Sequence, residues 1–175
     1  PRIRALREAL MAAPAAPVLQ GHFPKAQQLA LAQEIARAFG YDMDRGRIDE
    51  AVHPFSSGSF NDVRITTRVD ESEPLGCLYS TIHEVGHAGY EQNIDQSYGL
   101  SVLGQGVSMG VHESQSRIYE NQLGRSPAFC AWLYGRMRDR FGPLSVAGPD
   151  EFARAVNGVA AGYIRTEADE VHYNL

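Results

Sequence analysis

The sequence predicts a mainly α-helical fold with a small β-sheet, an α+β arrangement in one domain spanning residues 1–175. Three observations predict it. Apolar residues recur at three- and four-residue spacing through most of the chain, the period of a helix with one buried face. Only one stretch, Asp62 to Asp70, alternates with a period of two. A length of 175 residues with 43% hydrophobic content suffices to bury a real core and suits a single domain.

The elements follow in order. Arg2 to Met11 reads as a helix with Ile3, Leu6 and Leu10 along one stripe, and Pro14 and Pro17 end it in an Ala/Pro linker to residue 20. Pro24 opens a second helix. Leu29, Leu31, Ala32, Ile35, Ala36 and Phe39 give it a broad apolar face, and Gly40 stops it. Asp42 to Ser59 is rich in turn formers. The alternating stretch is a strand with Val63, Ile65, Thr67 and Val69 on one face and Asp62, Arg64, Thr66 and Arg68 on the other. One face packs on helices, and an exposed edge of such a strand can take up an extended peptide. Leu75 to Tyr90 is a semi-buried helix. Val107 to Gln122 is another, with Val107, Val111 and Ile118 near one face, Glu113 and Arg117 four apart, and Gly124 as its stop. Pro127 to Phe141 carries Trp132, Leu133 and Met137 and ends at Gly142-Pro143. Pro149-Asp150 opens a helix with Phe152, Val156 and Val159 inward. Gly162 interrupts it before a last helical stretch, Tyr163 to Leu175.

Composition excludes several functions. A net charge of −5 gives no electrostatic support for nucleic-acid binding. Lys25 is the only lysine. There is no apolar run of spanning length and no signal-peptide pattern, so no membrane role and a cytoplasmic location are expected. Pro1 suggests a trimmed start. Cys77 and Cys130 lack metal-type spacing and read as buried free thiols.

The chemistry concentrates in His83-Glu84-Val85-Gly86-His87, an H-E-x-x-H run. On a helix, residues four apart share a face, so His83 and His87 can offer two imidazole nitrogens to one metal ion. Glu84 stands about a quarter-turn away, where a general base can take a proton from a metal-activated water. A solvated helix face with two histidines is the bland alternative. The apolar and small residues from Leu75 to Ile82 argue against it. Gly86 and Gly89 lower helix propensity, which close packing against another backbone would justify.

A catalytic zinc wants three protein ligands and one open position. Glu113 lies 26 residues after His87, far enough for a turn and a second helix, and is the favoured third ligand. Glu120 and His112 are alternatives, and Glu113 as a partner of Arg117 is the structural one. Glu91, Glu120 and Asp62 are candidates to orient the two histidines.

Five segments in order now resemble the carboxypeptidase Taq (M32) family of thermostable metallocarboxypeptidases. They are His53-Pro54-Phe55; Asp62-Val63-Arg64-Ile65-Thr66; the H-E-x-x-H; the run Val107 to Arg117 around His112-Glu113-Ser114-Gln115, continued by Glu120 to Ser126; and Ile164-Arg165-Thr166-Glu167-Ala168-Asp169. The resemblance covers roughly residues 20–175 and is to the middle of much longer proteins. The family's large N-terminal helical region and final Q-D-x-H-W-type motif have no counterpart here. Gly58-Ser59-Phe60-Asn61 and His172 also depart from the pattern. Substrate walls are therefore expected to be less complete than the metal centre.

The resemblance implies a zincin-like catalytic domain with its metal on the H-E-x-x-H helix and a second helix. The activity implied is release of single residues from peptides with a free C-terminus. Zinc, or cobalt or manganese in its place, would be held by His83, His87 and Glu113, with Glu84 as general base. Arg64, Arg165, His53 and Tyr173 are the candidate substrate-binding residues: the arginines for the terminal carboxylate, with Arg165 paired to Glu167, Asp169 or Glu170 as the structural alternative, and Tyr173, like Tyr163, for the oxyanion, with a core tyrosine the favoured alternative for both. Homodimerisation is a further expectation. A zinc endopeptidase or aminopeptidase, or a non-catalytic zinc-binding domain, are the rival readings.

Overall fold

The computed structural model describes residues 2–159; the expected final helix, with Gly162, lies outside them. The described residues form helices α1 (Arg2–Ala12), α2 (Lys25–Ala38), α3 (Pro74–Gln92), α4 (Met109–Arg117), α5 (Pro127–Phe141) and α6 (Pro149–Val156). Strands β1 (Ile48–Glu50), β2 (Ser56–Ser59) and β3 (Asp62–Thr67) make one sheet. This is the expected mainly helical fold with a small sheet. No helix among the described residues is long and apolar enough to cross a membrane.

α3 is the axis. Its start is fixed locally: Pro74 occupies the first turn, where no amide hydrogen is needed, and Glu73 accepts the Gly76 amide at 2.7 Å. Its apolar side carries Cys77, Leu78, Ile82, Val85 and Ala88, all buried. One core joins α2, α3, α5 and α6 through Leu31, Ile35, Leu78, Ile82, Leu133, Met137 and Phe152. Burying a side chain such as Ile82 completely is worth about 1.5–3 kcal/mol. A second core lies between α2, the sheet and α3, built from Ala36, Tyr41, Val63, Ile65, Val85 and Ala88. Tyr41 donates to the Val63 carbonyl at 2.6 Å, and burial pushes its phenol up to about 12. Cys77 and Cys130 are buried free thiols, as expected.

The sheet corrects two expectations. The turn-rich region 42–59 contains two strands, because β3 offers both of its edges: β1 pairs with it in parallel and β2 antiparallel. β3 is therefore central among the described residues, with β1 along Ile65–Thr67 on one edge and β2 along Asp62–Ile65 on the other, in place of the exposed edge expected for it. Its inward side is as expected, with Val63, Ile65 and Thr67 buried. The β2–β3 turn holds Phe60 at φ 61°, a left-handed conformation costly for a bulky residue. Two contacts hold it there: Arg45 donates to the Phe60 carbonyl at 2.5 Å, and the Phe60 ring lies where a Cβ on Gly99 would stand.

The second long helix also differs from expectation. Ser108 caps it, accepting the Val111 amide at 3.1 Å, so helix begins at Met109. After Arg117 the backbone widens into a π-helical segment, Ile118–Leu123. Val107, Val111 and Ile118 are exposed, whereas Ser116 is buried against α3. The side facing the core is thus the polar one. In α6, Phe152 and Val156 point inward as expected, while Val159 is exposed. In α1 the helix forms, but Leu6 and Leu10 of its stripe are exposed.

Candidate metal centre

α3 and α4 approach backbone to backbone. A Cβ on Gly86 would stand 2.5 Å from the Ser116 Cα, so only glycine permits this crossing. The crossing aims the polar side of α4 and the π segment at the two histidines of α3. His83 Nε2 lies 3.7 Å and His87 Nε2 3.1 Å from Glu113 Oε2. One ligating atom from each of the three residues lies within 4.8 Å of the other two. Four-coordinate zinc with bonds near 2.1 Å spaces its ligand atoms roughly 3.4 Å apart. Two imidazoles and a carboxylate at these separations fit such an ion in both chemistry and spacing.

The remaining polar atoms of the three residues are engaged. His83 Nδ1 is 2.8 Å from Glu120 Oε2, and His87 Nδ1 is 2.6 Å from His112 Nδ1. His112 Nε2 meets Glu91 Oε1 at 2.8 Å. Arg117 donates to Glu113 Oε1 at 2.9 Å and to Glu120 Oε2 at 3.3 Å. Arg125 donates to Glu120 Oε1 at 3.2 Å and to the Val156 carbonyl at 2.5 Å, with its guanidinium over the Tyr79 ring.

The alternatives left open by spacing are thereby divided. Glu113 stands with the histidines, Glu120 stands behind His83, and His112 stands behind His87. Asp62 orients neither histidine, because it binds Arg64 at the surface.

The carboxylates of the cleft differ in charge preference. Burial would raise Glu113, but the hydrogen bond from His87 and the charges of His83 and Arg117 hold it down at about 2. Burial is likewise outweighed at Glu120, where His83, Arg117 and Arg125 lower the pKa. Glu84 is only 6% exposed and has no hydrogen-bond partner among the described residues. Burial pushes it up to about 7, against the opposing pull of His83. His83 itself is raised: burial opposes its charge, and Glu120 more than compensates.

These groups line a cleft of about 880 Å³ that also takes in His53, Arg68, Tyr79 and Met109. His53 lies on its lining. Arg64 does not reach it: it points to the outer face of β3 and is held by Asp62 at 2.8 Å. The cleft draws Arg68 from the same stretch instead. Arg165, Tyr163 and Tyr173 lie outside the described residues. Arg125 was missed by sequence reasoning. Nothing in its spacing marks it, since its partners Val156 and Tyr79 come from α6 and α3.

A family model described as carboxypeptidase Taq (M32) metallopeptidase matches residues 1–175. Carboxypeptidase 1 of Bacillus subtilis is 44% identical over 158 residues, 87% of this chain and 31% of that protein. Thermostable carboxypeptidase 1 of Thermus thermophilus is 43% identical over 159 residues, 90% of this chain and 31% of that protein. The crystal structure of the M32 carboxypeptidase from Deinococcus radiodurans is similar with a TM-score of 0.89 at 47% identity, covering 98% of this chain and 35% of that one. The chain spans about a third of the length of these relatives.

Proposed function

The chain belongs to the carboxypeptidase Taq (M32) metallopeptidase family, and from that membership we propose that it carries the catalytic centre of a metal-dependent carboxypeptidase. The observation that supports this most is the convergence of His83, His87 and Glu113 with Glu84 beside them. In this reading the centre is zincin-like. His83, His87 and Glu113 hold zinc, with cobalt or manganese as competent substitutes for the same nitrogen and oxygen donors. A bound divalent ion supplies Lewis acidity, polarising the scissile carbonyl and acidifying a water.

The protein's own groups do the rest. Glu84 accepts the proton of the attacking water on a carboxylate oxygen and returns it to the leaving amine. Burial makes it a stronger base than an exposed carboxylate, and a cation beside it favours the ionised form that must act first. Arg117 pairs with Glu113 and Glu120, and Arg125 with Glu120, which keeps both as carboxylates that do not compete for the proton. Recognition of a free peptide C-terminus calls for a guanidinium group. Arg68 is well placed on the cleft lining, His53 flanks the same cleft, and Arg165 and Tyr173 remain proposals from the resemblance. Arg64 is the weakest of the proposed set, because it lies on the outer face, where Asp62 takes its Nε and Nη2 hydrogens.

The test pairs N-blocked peptides that have free or amidated C-termini. Cleavage confined to the free form supports the reading, and equal cleavage of both forms overturns it. Glu84→Gln is expected to keep the metal and to lose about 10²–10⁴-fold in turnover. Unchanged turnover removes Glu84 from the role of base.

A further inference from the structure

The two histidines of α3 are backed differently. His83 Nδ1 faces a carboxylate directly, Glu120 Oε2 at 2.8 Å. His87 Nδ1 faces a second imidazole, His112 Nδ1 at 2.6 Å, and only behind that imidazole does a carboxylate stand, Glu91 Oε1 at 2.8 Å from His112 Nε2.

Hydrogen-bond directions in this row follow from one requirement. An imidazole that ligates through Nε2 presents its lone pair there, so its proton sits on Nδ1. His87 turns Nε2 toward Glu113 and the centre. Its Nδ1–H therefore donates, and His112 Nδ1 accepts. A neutral His112 with a bare Nδ1 carries its own proton on Nε2, which donates to Glu91. With His87 as a ligand and His112 neutral, each donor meets one acceptor and the row ends on a carboxylate. Both ring nitrogens of His112 are occupied in this way, which removes it as a metal ligand although it adjoins Glu113 in sequence.

The packing fixes the row in place. The His112 ring lies between His87 and Tyr90, with centroids 4.8 Å from each. A Cβ on Gly106 would stand 3.0 Å from His112 Cδ2 and 3.2 Å from Glu91 Oε1, so the backbone of the 104–108 segment closes over the pair. The His112 and Glu91 side chains are 18% and 12% exposed.

We infer that His112, backed by Glu91, is a positioning residue that fixes the tautomer and ring orientation of His87 for metal binding. The inference rests on the metal centre proposed above. Hydrogen-bond partners of this kind typically set metal affinity by about 10–100-fold.

The experiment measures zinc affinity by competition with a chromophoric chelator, together with the visible spectrum of the cobalt form. Three variants are compared with the unaltered protein. His112→Phe keeps the ring and removes the acceptor; its zinc affinity is expected to fall about 10–100-fold with a changed cobalt spectrum. His112→Asn places an amide oxygen near the position of Nδ1 and is expected to recover most of that loss. The melting temperature in excess chelator separates packing from positioning, and is expected to be similar for the two. Wild-type affinity in His112→Phe overturns the inference, as does an equal loss in Phe and Asn. Glu91→Leu leaves His112 in place and keeps the test decisive if His112→Phe does not fold. A several-fold loss supports the row, and an unchanged affinity overturns it. An unaltered protein that takes up no stoichiometric zinc overturns the metal centre itself, and the inference with it.

Discussion

Where α3 crosses α4, the backbones touch and each imidazole of the centre has a partner; a few residues away, Leu100, Val102 and Met109 are 101%, 85% and 82% exposed. The first region is the floor of the cleft. Its geometry is set by tertiary contact: Gly86 against Ser116, Ile82 against the core, Glu120 against His83. The second is the stretch 100–103 beside it, where Ser101 caps the Leu103 amide and Leu100, Val102 and Leu103 stand exposed. Its apolar side chains have little to pack against among the described residues. The difference teaches that the histidine-bearing floor and the exposed apolar side chains beside it rest on separable parts of the chain. Damage to the floor should spread to stability and metal affinity together, whereas damage to the exposed side chains at Leu100 and Val102 should spread to neither.

Substitutions can break or sharpen that contrast. The largest effect is expected at Ile82→Ala, which empties a fully buried site shared by the main core and the floor. A loss of about 2–5 kcal/mol in denaturant unfolding is expected, and a loss under 1 kcal/mol would mean the floor is not packed as described. Gly86→Ala comes next. Helix propensity alone would favour alanine by about 1 kcal/mol. The Cβ, however, meets the Ser116 backbone, which cannot swing away as a side chain can. Overpacking of about 1–3 kcal/mol should win, with weaker zinc binding measured in parallel. A stabilised Gly86→Ala would show that the helices can separate freely. Glu120→Gln should cost some stability by weakening the Arg117 and Arg125 pairs, and should weaken zinc binding by about 10–100-fold through loss of the carboxylate charge behind His83. The smallest effect is expected at Leu100→Ser, within about 0.5 kcal/mol and with unchanged zinc affinity. A large loss there would erase the distinction between floor and outer stretch.

Much of the fold was legible because its signals are local. Pro127, Pro149 and Gly142 mark helix ends through backbone chemistry that needs no partner. Alternation marks β3 because one side of it is buried. β1 and β2 were not legible. Ser56-Ser57-Gly58-Ser59 has little strand preference of its own and is extended because β3 offers it hydrogen bonds. The apolar residues at 107, 111 and 118 were misleading for a related reason. Periodicity identifies a face but not what lies opposite, and α3 presents imidazoles to α4 in place of an apolar surface.

The same division holds at the centre. The sequence by itself determined that His83 and His87 share a helix face with Glu84 beside them, because a pitch of 3.6 residues per turn fixes those directions. It also narrowed the partners to His112, Glu113 and Glu120. Only the tertiary structure decided their positions, placing Glu113 before the imidazoles, Glu120 and His112 behind them, and Arg64 outside the cleft. The reason is physical. Which side chain meets which nitrogen depends on where two helices cross, and that point is set by a backbone contact at Gly86 that local spacing does not encode.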